Sequence, residues 1–319
     1  MITVLTGGTG GAKFVDGLRR VVPPGDLTLI VNTGDDFEWW GLHISPDVDS
    51  ITYVLADLLS KQRGWGVQDD TFLCLERMKS MGQPAWFQIG DRDLAIHLLR
   101  TQLLKAGKSL TQATAEIRAR LGIEAKILPM SDERVETRVE TAAGEISFQE
   151  YFVKRRHQDE VKSVRFAGAE SARPAPGVTE AILSAELVLI APSNPITSIG
   201  PILSVPGILE SLRQTSARVA AISPIVGGSA VTGPAGALMA ARGLPVSLAG
   251  VAKAYEDFLD SLIADNRDEK EAVQLQSPDL NVHCTNTVMK KEEDREELAK
   301  AVLACISGGV GTVRSSVMA

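Results

Sequence analysis

The chain has little cysteine. Of 319 residues only Cys74, Cys284 and Cys305 are of this type. Their number is odd, their spacing is wide and no C-x-x-C occurs. That speaks against a disulfide framework or a cysteine zinc site and fits a reducing compartment. Basic charge is also short: 33 Lys and Arg face 40 Asp and Glu, a net charge of −7. The chain therefore lacks the basic footprint of a nucleic-acid binder. An anionic small ligand held by backbone amides and a metal is still compatible with it. No apolar run approaches the ~18 residues of a membrane span. The nearest, 181–192, is broken by Glu186. The opening MITVLTGGTGG has no basic stretch and no long apolar stretch, so it does not read as a signal peptide. The expectation is a soluble cytoplasmic protein with no nucleic-acid or membrane partner.

What is present is ordinary globular composition, 44% hydrophobic and 23% charged. The length allows one large domain or two fused ones. Residues 2–5 form a β-branched apolar run that reads as a buried strand. Apolar spacing predicts a helix over 12–21, stopped by Pro23-Pro24-Gly25. A second buried strand follows over 27–31 and ends at Asn32-Thr33-Gly34-Asp35-Asp36. Strand, glycine loop, helix, strand is a βαβ unit with a parallel sheet. Helices are predicted over 49–59, 69–81, 91–104 and 111–121. Residues 124–128, 134–141, 146–153 and 161–166 look like strands, within a β-rich insertion spanning about 122–176. Its dense charges, Lys154-Arg155-Arg156 among them, read as a solvated face. The α/β rhythm resumes with a helix over 178–186, buried strands over 187–191 and 219–222, and a helix opened by Gly233-Pro234-Ala235-Gly236. Further helices are predicted over 251–263 and 291–306. No internal repeat is visible. The expected fold is α/β, a Rossmann-like parallel sheet flanked by helices with a small β-rich insertion, in one domain over 1–319.

Four constellations carry chemistry. Gly7-Gly8-Thr9-Gly10-Gly11-Ala12-Lys13 follows the first strand, where glycines admit close backbone approach and helix-start amides face anions. It is not a P-loop, because Phe14 follows Lys13, and it lacks the third glycine of a dinucleotide fingerprint. The loop is either a phosphate cradle or a tight turn. Asp35, Asp36, Asp47 and Asp49 form an acidic group near strand ends, suited to a hard cation or to helix capping. Gln88-Ile89-Gly90-Asp91-Arg92-Asp93 leads a strand-like stretch into a helix. Its aspartates complement the helix dipole, and Arg92 pairs locally or faces a ligand. Ser193-Asn194-Pro195, at a strand tip stiffened by prolines, and Ser223-Pro224-Ile225 read as ligand loops or ordinary turns. The four histidines share no metal spacing, and His97 reads as a core or interface residue. Trp39, Trp40 and Trp65 either pack the core or line a flat aromatic ligand. No Ser-His-Asp pattern is found.

Together, GGTGGAK, NTGDD, SPDVDS, RGWG, IGDRD, LPMSDE, APSNPITSIGPI and SPIVGG…GPAG resemble the 2-phospho-L-lactate transferase family of coenzyme F420 biosynthesis. The resemblance runs from residue 1 to about 260 and weakens beyond. It implies transfer of a phosphorylated three-carbon acid from a guanosine diphosphate donor to the ribityl hydroxyl of the deazaflavin Fo, with release of GMP. It also implies Mg²⁺ as cofactor, a Rossmann-like fold and a homodimer. Carried over by residue, the metal falls on Asp35 and Asp49, which are also the expected catalytic pair. Fo falls on Asp49 and Gln88, beside Asp91 and Arg92. The nucleotide and its phosphates fall on Gly7, Gly8, Thr9, Gly10, Lys13, Ser193, Asn194 and Pro195. Phosphoryl transfer needs positioning and charge neutralisation more than a protein nucleophile, which agrees with this residue set. The rival reading is a non-catalytic nucleotide-sugar-binding regulator sharing the GGTG opening. A nicotinamide dehydrogenase is weaker, since no acid/base pair for hydride chemistry stands out.

Overall fold

The computed structural model describes residues 1–308, so 309–319 of the expected domain lie outside the described residues. Fourteen strands occur among the described residues. They are β1 (Ile2–Thr6), β2 (Leu27–Val31), β3 (Phe37–Trp39), β4 (Leu42–Ile44), β5 (Lys126–Pro129), β6 (Glu136–Thr141), β7 (Gly144–Ser147), β8 (Val161–Ala167), β9 (Leu187–Ile190), β10 (Arg218–Ile222), β11 (Ile225–Val226), β12 (Ser229–Ala230), β13 (Ser261–Asp265) and β14 (Asn281–Thr285). Seven of them make one parallel sheet in the order β14-β13-β10-β9-β1-β2-β5. The Rossmann-like α/β architecture is therefore present.

The continuous apolar runs have a physical reason: both faces of this sheet are covered. Leu5, Ile30, Val188, Ile190, Val219, Ala221 and Leu262 point into one core, shared with Tyr151 and Ile182. Val4, Leu29, Val31, Leu189, Ala220, Ile222 and Ile263 point into the other. That second core is closed by the first helix and by the last, Glu292–Gly308, whose Leu298, Ala299 and Val302 are buried. The alternation follows from the period of two along a strand.

Five helices precede β5: α1 (Gly8–Leu18), α2 (Pro46–Leu55), α3 (Leu73–Ser80), α4 (Asp91–Lys105) and α5 (Leu110–Arg120). Two of them start earlier than apolar periodicity indicates. The α1 helix takes in the glycine loop, and α2 opens at Pro46, a residue suited to a first helical turn. The antiparallel sheet β7-β6-β8 is the β-rich insertion, whereas β5 is an edge strand of the main sheet. After β7 the chain forms a helical turn, Glu150–Lys154, instead of continuing as strand. The expected helix over 251–263 is corrected. The helix is Leu248–Ala254, and Ser261–Asp265 is strand β13, an interior strand of the main sheet. A fully buried strand is apolar throughout, so its end of the window carries no periodicity that separates it from a helix. Strand β14, only partly buried, has no such run and went unread. Among the described residues no helix is long and apolar enough to cross a membrane.

Candidate active site

From β1 the chain proceeds to β2 and β5 on one side, and from β9 to β10, β13 and β14 on the other. The order thus reverses between β1 and β9, and ligands of open parallel sheets bind at the carboxyl ends there. The loops leaving these two strands are the glycine loop and the Pro192-Ser193-Asn194 loop. They meet directly: the Gly7 amide donates to Ser193 Oγ at 3.3 Å. A side chain at Gly7 would lie 2.6 Å from Asp47 Oδ2, and one at Gly10 would run into the Pro192 carbonyl. Gly8 stands at φ +68°, a left-handed conformation that favours glycine. The GGTG spelling is needed for this close packing of loops and backbone turn.

A cavity of about 650 Å³ opens above the two loops. Its floor includes Gly7, Gly8, Thr9, Gly10, Lys13, Ser193 and Asn194. Asn194 Oδ1 accepts from the Ile196 and Thr197 amides, so it also caps the following turn. Pro195 is buried and does not line the cavity. Lys13 has a lowered pKa, through burial and the nearby Arg295 charge. Gln88 lines the wall with Trp65, Trp86 and Phe87. Phe37, Trp39, Trp86 and Phe87 pack in one cluster, edge to face except for the stacked Phe37–Trp86 pair, with Trp39 and Trp86 4.8 Å apart between ring centroids. Of the tryptophans singled out from sequence, Trp65 reaches the cavity and Trp39 is buried in that cluster.

Asp35 and Asp47 line the cavity and are both buried. Asp47 Oδ1 accepts from the Gly8 amide at 2.8 Å and Oδ2 from Asn32 Nδ2 at 2.9 Å. Burial is the largest influence on it. The Asn32 and Gly8 bonds oppose that influence and neighbouring carboxylates reinforce it, leaving its pKa at about 6. Burial, then the Asp47 and Asp36 charges, hold Asp35 well above the usual carboxylate range. Its Oδ1 is buried with no hydrogen-bond partner. Asp36 also sits high through burial, offset in part by His43, 3.1 Å from it, and by Ser45. A cluster of this kind suits a cation. No group of three or more His, Cys, Asp or Glu among the described residues is placed to hold a metal alone. A cation here would draw further oxygens from ligand or water, which is how Mg²⁺ is usually bound.

Asp49 is placed elsewhere. Both of its oxygens accept from Arg100, the Nη1 bond measuring 3.0 Å, and His97 Nδ1 lies 3.5 Å away. Neither Asp49 nor Arg100 lines the cavity, and Arg100 is 1% exposed. His97 is buried beside Asp93, which accepts from the Tyr53 hydroxyl. Asp91 and Arg92 do not line the cavity either. Asp91 accepts from the Leu73 and Cys74 amides, capping α3. Asp70 accepts from the Arg92 and Asp93 amides, capping α4 in return. Arg92 Nη1 donates to the Gln68 carbonyl at 3.2 Å.

The insertion supplies what sequence reading missed. Phe148, Phe152 and Arg156 also line the cavity. The Lys154-Arg155-Arg156 run carries no signal that separates its third residue from a solvated face.

The family model of 2-phospho-L-lactate transferase CofD matches residues 2–309. The 2-phospho-L-lactate transferase of Methanosarcina mazei is 42% identical over 300 residues, covering 94% of this chain and 98% of the relative. The Methanocaldococcus jannaschii 2-phospho-L-lactate transferase is 44% identical over 308 residues, covering 95% and 97%. The phosphoenolpyruvate transferase of Streptomyces griseus is 41% identical over 308 residues, also covering 95% and 97%. Among solved structures, a UPF0052-family protein of Bacillus halodurans superposes with a TM-score of 0.66. It is 19% identical and covers 95% of this chain and 98% of its own, a likeness of fold. With these matches over nearly its whole length, the chain belongs to the 2-phospho-L-lactate transferase CofD family.

Proposed function

We propose that this protein transfers a phosphorylated three-carbon acid, phospholactate or phosphoenolpyruvate, from a guanosine diphosphate donor to the ribityl hydroxyl of the deazaflavin Fo. The observation that supports this most is one cavity with two unlike sets of lining residues. One set is a glycine-loop helix start with Asp35 and Asp47, and the other is the rings of Trp65, Trp86 and Phe87. The first suits a diphosphate with its cation, the second a flat ring system.

Asp35 and Asp47 would hold Mg²⁺, which when bound supplies charge neutralisation for the diphosphate. The free amides of the first turn of α1, with Lys13, would hold further phosphate oxygens. Gln88 would contact the ring system beside the tryptophans. In the reaction the ribityl oxygen bonds to the phosphorus that carries the acid. The bond from that phosphorus to the bridging oxygen breaks, GMP departs with the bridging oxygen, and the hydroxyl proton passes to solvent. No protein nucleophile is required. Asp49, with both oxygens taken by Arg100, serves here by fixing α2 and therefore Asp47. A cytoplasmic homodimer completes the proposal.

Incubation with Fo, Mg²⁺ and each guanylylated donor, followed by mass measurement, is the test. The expected product is Fo plus the phosphorylated acid, with GMP in equal amount. No product from any donor, together with tight nucleotide-sugar binding, would overturn the proposal in favour of a non-catalytic regulator.

A further inference from the structure

We propose that Arg156 is the carboxylate-binding residue of the donor site, its guanidinium taking the carboxylate of the transferred three-carbon acid. This rests on the transfer reading above and adds a residue and a ligand group to it. Three cations run in sequence at the end of the insertion's helical turn, and two are neutralised locally. Lys154 Nζ lies 3.0 Å from Glu150 Oε1. Arg155 lies 3.2 Å from Glu150 and 3.3 Å from Asp159. Arg156 makes no ion pair, hydrogen bond or ring contact among the described residues, and it lines the cavity.

Its backbone is held in place. Arg156 and His157 stand at φ 53° and 47°, a conformation L-residues rarely adopt and one that clusters at functional sites. Two anchors impose it. The His157 amide donates to the carbonyl of fully buried Tyr151 at 2.8 Å. The Phe152 ring lies between Phe148, 5.5 Å away, and the His157 ring, 5.8 Å away, both stacked. The guanidinium is thus presented from a braced turn.

Charge then selects its ligand. Phospho-L-lactate and phosphoenolpyruvate, the groups printed in the relatives' names, each carry a carboxylate besides the phosphate. Lys13 and Arg156 are the two basic residues lining the cavity among the described residues, and Lys13 belongs to the glycine-loop helix. Asp35 and Asp47 repel a bare carboxylate. The planar fork of Arg156 matches one with two parallel hydrogen bonds. Since lactate and enolpyruvate share that group, Arg156 recognises the class without choosing between its members.

The test is calorimetric binding of three probes to the intact protein: the lactyl diphosphoguanosine donor, its analogue with methyl in place of carboxylate, and GDP. Wild type is expected to prefer the carboxylated donor by about 30-fold. Arg156→Asn, which tolerates the left-handed backbone, should erase that preference and leave GDP affinity within about twofold. Arg156→Lys should keep part of it. Retained preference in Arg156→Asn, or an equal loss of GDP affinity, overturns the proposal and leaves the transfer reading standing. So does a wild type that transfers but shows no preference. A wild type that neither binds nor transfers overturns both.

Discussion

Asp47 and Asp49 stand two residues apart in the first turn of α2 and meet opposite fates. At 100° per residue they project about 200° apart around the helix axis. Asp47 turns to the glycine loop, where its partners are neutral and its pKa rises to about 6. Asp49 turns to α4 and is gripped by the Arg100 guanidinium. One face of the helix therefore holds carboxylate charge that lacks a cation, and the other holds charge already compensated. The lesson is that S-P-D-V-D-S is two devices: a cation-facing carboxylate, and a buried clamp that sets where that carboxylate points.

The largest effect is expected at Arg100. Arg100→Met leaves Asp49 buried without a counter-charge and should destabilise the fold by about 3–5 kcal/mol. Adding Asp49→Leu should recover most of that stability without restoring transfer. Chemical denaturation of the single and double variants reads the first effect, and turnover the second. If the double variant transfers normally, Asp49 and Arg100 do not position Asp47. Next is Asp47→Asn, expected to lower turnover about 100-fold (roughly 2.7 kcal/mol) and to raise the Mg²⁺ concentration needed for half-activity. Unchanged metal dependence would remove Asp47 from the cation.

The third test uses pH. The folded-state pKa of Asp47, about 6, lies above its ordinary value of 3.8. A raised pKa contributes stability that is fully present below the unfolded value and lost as pH rises through the folded one. Without divalent cations, stability should therefore fall between about pH 4 and pH 7, by on the order of 2–3 kcal/mol. Asp47→Asn should remove its share of that fall, leaving the part due to Asp35 and Asp36, and should melt higher than wild type at pH 7, although it transfers poorly. Thermal melts across that range, with and without Mg²⁺, check the sign. The smallest effect is expected at Asp91. Asp91→Ala removes the cap of α3 and should cost about 1 kcal/mol while leaving the KM for Fo near wild type. A large rise in that KM would show that Asp91 touches the ring system after all.

Much of the fold was legible. Residues 2–5, 27–31, 187–190 and 219–222 lie in the sheet because strands covered on both faces must be apolar throughout. That same uniformity hid β13 inside a supposed helix. The glycine loop and the Ser193-Asn194 loop could be placed at the ligand end because they follow buried strands directly. Asp91 and Arg92 looked like ligand residues because a cap and a contact use the same side chains. Trp86, Phe152 and Arg156 stayed unread because nothing local distinguishes a cavity wall from a core or a surface.

From sequence alone came the parallel sheet and the glycine loop that leaves its first strand. Each follows from backbone freedom or from side-chain period along one segment. The tertiary structure alone decided which aspartate faces the crevice, which arginine of a basic run is left unpaired, and which aromatic rings form a wall. Those outcomes depend on the rotational phase of one element against another brought from far along the chain, and no local pattern records that phase.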